Sequence, residues 1–199
     1  EINSTMRKKA KKRLQFCGII DTQIYNVPIN SPYPFPDASF DIILLESVLA
    51  IQTLNGLHWM LDEFDRLLKS GGQLAFNETI WLPNQDPLKI KAFNESCLNH
   101  FGIIQSNDEL IDVNAWKNLL FTKGWKIEYC KKVEEWQGKM TYGWRNHLSL
   151  LFSIIGGFKA KFQSQQIQDT KAIKKLEDEI YAKNKCKMNA YIFISKKVK

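Results

Sequence analysis

The residue types that do chemistry are few in this chain and stand apart from one another. Four cysteines, Cys17, Cys97, Cys130 and Cys186, include no pair with the short spacing of a zinc knuckle or a redox motif. They read as reduced, mostly buried thiols. The three histidines, His58, His100 and His147, are equally dispersed, so neither metal ligation nor imidazole catalysis has a local pattern. Carboxylates at the ends of apolar runs remain. Glu46 closes FDIILLE and is followed by Ser47 and Val48; Glu78 lies late in QLAFNETIW. An ionised carboxylate offers only acceptors, so each can take a proton from a nucleophile or simply hold hydrogen-bond donors. No glycine pair cradles a phosphate. Gly71-Gly72 follows a helix pattern and Gly156-Gly157 interrupts an apolar one, whereas a phosphate loop follows a strand and opens a helix.

Such residues need elements to hold them. NSTMRKKAKKRLQF predicts a helix capped by Asn3 or Ser4, with Met6, Ala10 and Leu14 as its apolar stripe. GIIDTQIY, Gly18 to Tyr25, predicts a short strand. NVPINSPYPFPDAS contains four prolines and reads as loop; Asn26 and Asn30 lie within it. FDIILLE is the near-continuous apolar run of a central parallel strand. LNGLHWMLDEFDRLLKSGG predicts a helix with Leu54, Leu57, Leu61, Phe64, Leu67 and Leu68 on one side, ended by Gly71 or Gly72 in left-handed geometry. QLAFNETIW predicts a strand stopped by Pro83. A helix over 87–101, a helix in DVNAWKNLLF, a turn at Gly124, a strand to about Val133, helix over 145–183 and a closing strand in MNAYIFISKK complete the chain. Strands alternating with helices make an α/β sheet.

The bulk numbers exclude several classes. The 199 residues suffice for one core, or one core with an appendage, and 44% hydrophobic with 25% charged residues is ordinary for a globular domain. The net charge of +7 is spread over several segments. The basic run Arg7–Arg13 is therefore read first as the wet face of its helix, and it is the only feature that favours nucleic acid as a partner. No apolar run reaches the roughly 18 residues of a membrane span; LSLLFSIIGGF, flanked by Arg145, Lys159 and Lys161, leaves peripheral membrane contact as a minor alternative.

The order of elements, with its local motifs, resembles the class I S-adenosylmethionine-dependent methyltransferases, particularly those that modify small molecules. Pro34, Phe35, Pro36, Asp37, Ala38, Ser39, Phe40 and Asp41 match the family's approach to its fourth strand. Glu63, Arg66, Leu68, Lys69, Gly71 and Gly72 match the helix that follows, with Ser70 where the family usually has proline. The likeness is close over residues 1–82 and looser over 115–135 and 187–197. Asp37, Asp41, Glu63 and Arg66 are read as structural, with Asp41 bonding to nearby backbone amides.

The resemblance implies S-adenosylmethionine as cofactor and a small-molecule methyl acceptor, with transfer by in-line displacement. It implies Glu1 as acceptor for the ribose hydroxyls, Ile2 beside the adenine, Asn26 or Asn30 at the adenine amino group, and Glu46, Ser47 and Val48 facing cofactor and acceptor. Glu46 is the candidate general base, with Glu78 the weaker one. Trp81 and the aromatics Trp136, Tyr142, Trp144, Phe152 and Phe158 are candidates for an acceptor pocket. The expected fold is a Rossmann-like methyltransferase sheet, mostly parallel with an antiparallel C-terminal strand pair. Because the alignment begins at Glu1, the first strand, glycine-rich loop and first helix are expected to be missing, making the chain an N-terminally truncated, inactive fragment. The expected domains are an α/β core over 1–135, a helical insertion or lid over 136–184 and a closing strand over 185–199. A cytoplasmic protein is expected, and no oligomeric state is assigned. Alternatives are a non-catalytic scaffold of the same fold, or a methyltransferase acting on nucleic acid or protein.

Overall fold

A computed structural model describes residues 3–28, 31–135 and 187–198, together with Lys175, Asp178, Glu179 and Ala182. The chain divides into two compact units, Glu1–Pro34 with Gly138–Ile173 and Phe35–Gln137 with Lys174–Lys199. The expected insertion over 136–184 lies outside the described residues apart from those four positions.

In the first unit, helix α1 spans Ser4–Phe16. Asn3 caps it, its Oδ1 accepting the amides of Thr5 at 3.0 Å and Met6 at 3.1 Å. These are two of the donors that the first turn of a helix leaves unpaired. The stretch GIIDTQIY is not a strand. It has no ladder partner among the described residues, and Ile19 and Ile20 are exposed; a short apolar run without a neighbouring strand has nothing to order it.

The second unit holds a four-stranded sheet in the order β1-β2-β4-β3. Its strands are β1 (Phe40–Glu46), β2 (Leu68–Trp81), β3 (Trp125–Lys132) and β4 (Met188–Lys197). Helix α2 (Leu54–Leu67) crosses from β1 to β2, while α3 (Pro87–Phe101) and α4 (Val113–Thr122) lie between β2 and β3 in sequence. The leucine pattern of α2 buries Leu57, Met60, Leu61, Phe64 and Leu67, the i, i+3, i+4, i+7 face of an amphipathic helix. The main core lies on one side of the sheet, where Phe76 of β2 stacks on Phe193 of β4 at 4.7 Å and meets Trp116 of α4. A second cluster joins Trp81 at the end of β2 to Ile90, Phe93 and Cys97 of α3.

Two expectations about the sheet are corrected. The first helix and first strand are not missing: α1 is present and capped, and β1 is present and paired with β2 from Phe40↔Leu68 to Glu46↔Asn77. FDIILLE takes its ladder from β2, delivered by the α2 crossover. The identification as a truncated fragment, and the inactivity inferred from it, are withdrawn. Nor are the described strands mostly parallel. Only β1–β2 is parallel, and β4 runs antiparallel to both β2 and β3. The expected antiparallel closing pair is there, and β4 also makes the junction to β2, so the sheet is mixed.

The Gly-Gly pair also works differently from its reading as a helix stop. Helix α2 ends at Leu67 with an extended residue, Leu68, and the glycines lie inside β2. Gly71 has φ 75°. A Cβ on Gly72 would stand 2.9 Å from the Lys69 carbonyl and 3.2 Å from that of Asp41. The β1–β2 register shifts at this point, between Phe40 and Ile42, and only glycine admits the approach.

Candidate functional site

The parallel pair β1–β2 ends at Glu46↔Asn77, and the chain turns there. Ser47 donates its amide to the Asn77 carbonyl at 3.0 Å. Its φ of 52° places it in the left-handed region, which a non-glycine residue occupies only under local constraint. That constraint comes from Glu78, the next residue along β2. Its Oε1 accepts the amides of Val48 at 2.9 Å and Leu49 at 2.7 Å. Glu78 is 2% exposed. Burial pushes its carboxyl above the ordinary value, while the amides of Leu49, Val48 and Ala50 pull the other way. A carboxylate in this position substitutes for the backbone partners that the turn lacks.

A second polar layer backs the turn. The Asn107 amide donates to the Ala50 carbonyl at 2.6 Å, and its Nδ2 donates to the Gln52 carbonyl at 3.0 Å. Gln52 Nε2 returns to the Val48 carbonyl at 2.9 Å. Thr53 then caps α2, its hydroxyl accepting the Gly56 amide. Asn107 is buried, and the segment around it is held by Asn94, whose Nδ2 donates to the Ser106 carbonyl at 2.7 Å, and by the Trp81 indole, which donates to the carbonyls of Ser106 and Asn107. Asn94, Asn107 and the Trp81 indole each have a partner, which makes the layer costly to disturb, while the buried Ser106 hydroxyl has none among the described residues.

The sequence-derived site residues separate accordingly. Glu46, Ser47 and Val48 come together at the carboxyl end of β1, and the Glu46 side chain is exposed there. Glu1, Ile2 and Asn30 lie outside the described residues. Asn26 belongs to the first unit, where its Oδ1 accepts from Arg7 Nη1 at 3.3 Å. Glu78, read as the weaker candidate base, holds the turn amides through Oε1. Trp81, read as a pocket wall, is buried with its indole hydrogen-bonded. The other pocket candidates, Trp136, Tyr142, Trp144, Phe152 and Phe158, lie outside the described residues. Asn94, Gln52 and Asn107 were missed: isolated amides in sequence carry no sign that loop carbonyls will converge on them.

The motif residues read as structural are so placed. Arg66 donates through Nε and Nη2 to Glu63, and through Nη1 to the Phe35 carbonyl at 2.9 Å and Asp37 at 2.7 Å. Its guanidinium is held further above an already high value, chiefly by the hydrogen bond to Glu63 and then that to Asp37. Phe35 packs edge-on against Phe40 at 5.0 Å. Asp41 differs from expectation. It pairs with Lys69 Nζ at 2.8 Å, because Lys69 lies near the start of the neighbouring strand.

Among the described residues, no group of histidine, cysteine, aspartate or glutamate side chains could hold a metal ion, and no helix is long and apolar enough to cross a membrane. Among the described cysteines, Cys97 is buried and Cys17 and Cys130 are partly exposed.

Residues 1–76 match a family model described as a methyltransferase domain. Several solved structures share the fold over nearly the whole chain. The MccD protein aligns with a TM-score of 0.62 at 15% identity, covering 99% of this chain and 77% of its own. The [4+2]-cyclase SpnF aligns at 0.58 and 16%, covering 98% and 63%. A geranyl diphosphate C-methyltransferase from Streptomyces coelicolor A3(2), solved in complex with Mg2+, geranyl diphosphate and S-adenosyl-L-homocysteine, aligns at 0.58 and 11%, covering 99% and 63%. This chain thus spans less than two thirds of the length of the last two. Its fold is the Rossmann-like mixed sheet of class I methyltransferases.

Proposed function

We propose that this chain forms the core of an S-adenosylmethionine-dependent methyltransferase acting on a small organic acceptor by in-line displacement. A coincidence of place carries the reading. The methyltransferase-domain match runs through β1 and α2 into β2, the elements that build the Glu46–Val48 turn. In α/β sheets the crevice outside the carboxyl ends of parallel strands is where ligands bind. Support for a small acceptor comes from the geranyl diphosphate C-methyltransferase of the same fold.

The strand end fits the cofactor chemically. The exposed Glu46 carboxylate offers only acceptors, as the hydroxyl and ammonium groups of S-adenosylmethionine require. Ser47 and Val48 would flank it, and Glu1, Ile2, Asn26 and Asn30 belong to the same proposal as ribose and adenine contacts. When bound, the cofactor supplies a methyl group already activated by a positive sulfur. The protein then has to align the acceptor and exclude water. The Glu78 carboxylate holds the turn in one geometry beforehand, so little reorganisation accompanies binding. Glu46 takes the proton when the acceptor atom carries one.

Because the fold is shared with a [4+2]-cyclase, the test must read methyl transfer itself. Purified chain is incubated with methyl-tritiated S-adenosylmethionine and a panel of small amines, carboxylates, phenols and prenyl diphosphates. The expected result is label transferred to one acceptor class, with Glu46→Gln lowering the rate by about 10²-fold or more. Absence of transfer to every acceptor overturns the function. Transfer at an unchanged rate in Glu46→Gln overturns the role of Glu46.

A further inference from the structure

At the opposite end of the sheet from the Glu46 turn, a cavity of about 800 Å³ opens between the end of α4 and the start of β3. Its walls combine apolar surface with unpaired positive charge. Phe121 is 79% exposed, and Ile127 and Val198 extend the apolar lining. Lys117 and Lys126 also line it, with no ion-pair partner among the described residues. The other charges at the site are already neutralised, Lys123 by Asp62 at 2.5 Å and Asp65 by Lys197 at 3.5 Å. Trp125 lines the cavity too, and its buried indole Nε1 has no acceptor among the described residues. A buried donor without a partner is uncommon in a native structure.

The strand register places this cavity. Lys126 pairs with Lys196, which pairs with Gln73, which pairs with Ile42 near the start of β1; Glu46 lies in the row through Asn77, Ile192 and Lys131. A ligand here is therefore remote from the proposed methyl-transfer crevice and does not depend on that reading.

We infer that the α4–β3 cavity is a binding site for an amphipathic organic monoanion, a hydrocarbon body carrying one carboxylate. The size is that of small-molecule sites generally. The hydrocarbon would cover Phe121, Ile127 and Val198, removing apolar surface from water. The carboxylate would answer Lys117 and Lys126 with charge-assisted hydrogen bonds. A neutral molecule of the same length gains the first contribution and forfeits the second.

Decanoate, kept below its micelle concentration, is titrated into the nitrogen-15-labelled full chain, with decanol as the neutral control. Saturable shifts are expected at the Trp125 indole, identified by its loss in Trp125→Phe, and at the amides of Gly124 and Lys126. Decanol should bind about tenfold or more weakly, a difference of one charge-assisted contact. Lys117→Gln with Lys126→Gln should reduce the preference for decanoate, and Phe121→Ser should weaken both ligands. All three replaced side chains are at least partly exposed, and a thermal melt checks that each variant is folded. Absence of saturable shifts, equal affinity for decanol, or shifts spread over exposed apolar residues such as Ile42 and Leu44 would overturn the assignment.

Discussion

Glu78 is buried, and its carboxylate holds the backbone of the turn after β1. Burial raises its folded-state value above the ordinary one near 4.5. Between those two values the folded chain holds the proton more tightly than the unfolded chain. The stabilisation from this group is therefore whole below about pH 4.5 and is lost as the pH rises through the folded value. Glu78→Gln keeps an oxygen for the Val48 and Leu49 amides and carries no charge. Its melting temperature should lack that decline, so that the parent-minus-variant difference changes with pH across this window. Two parallel profiles between pH 4 and pH 8 would show that Glu78 does not titrate there. The two strand-end carboxylates differ in setting: Glu78 is buried and holds backbone amides, and Glu46 is exposed.

The β1–α2–β2 unit is tied together at both ends. At the carboxyl end, the Glu78 and Asn107 contacts hold the turn. At the other end, Arg66 clips the Phe35–Asp37 segment onto α2, and Gly72 lets β2 close on β1. The glycine is the more sensitive point, because the atoms that would obstruct a side chain are backbone carbonyls, which cannot rotate away. Gly72→Ala should destabilise the chain by roughly 2 kcal/mol, the range of strain-bearing substitutions, read as a lower urea midpoint at unchanged slope. An unchanged midpoint would mean that the strands can part at this bulge without cost. The Gly-Gly pair was recognisable as a feature of this unit from its motif. Its position inside a strand was not, because helix and strand periodicity both run through Leu67 and Leu68.

The mixed sheet binds β1, β2, β3 and β4 into one core, and β4, last in sequence, is hydrogen-bonded on both edges. Phe193, fully buried on β4 against Phe76, is where sequence-distant strands meet. Phe193→Ala should remove about 3–5 kcal/mol, a large share of a typical total of about 5–15 kcal/mol, and urea unfolding should show it as loss of most of the native baseline. A shift of less than one kcal/mol would place the core elsewhere. The α/β class, FDIILLE, the α2 face, the helix over 87–101 and the closing strand were all legible from the chain alone, because each rests on hydrophobic spacing within a window of a dozen residues. The strand assigned to GIIDTQIY failed on the same ground, since local composition does not say whether a partner strand arrives. Three things came only from tertiary structure: that β1 takes its parallel partner from β2, that Ser47 is left-handed, and that Glu78 anchors the turn after β1. The amides that claim its carboxylate come from residues about thirty positions away, and only folding brings them within hydrogen-bond reach.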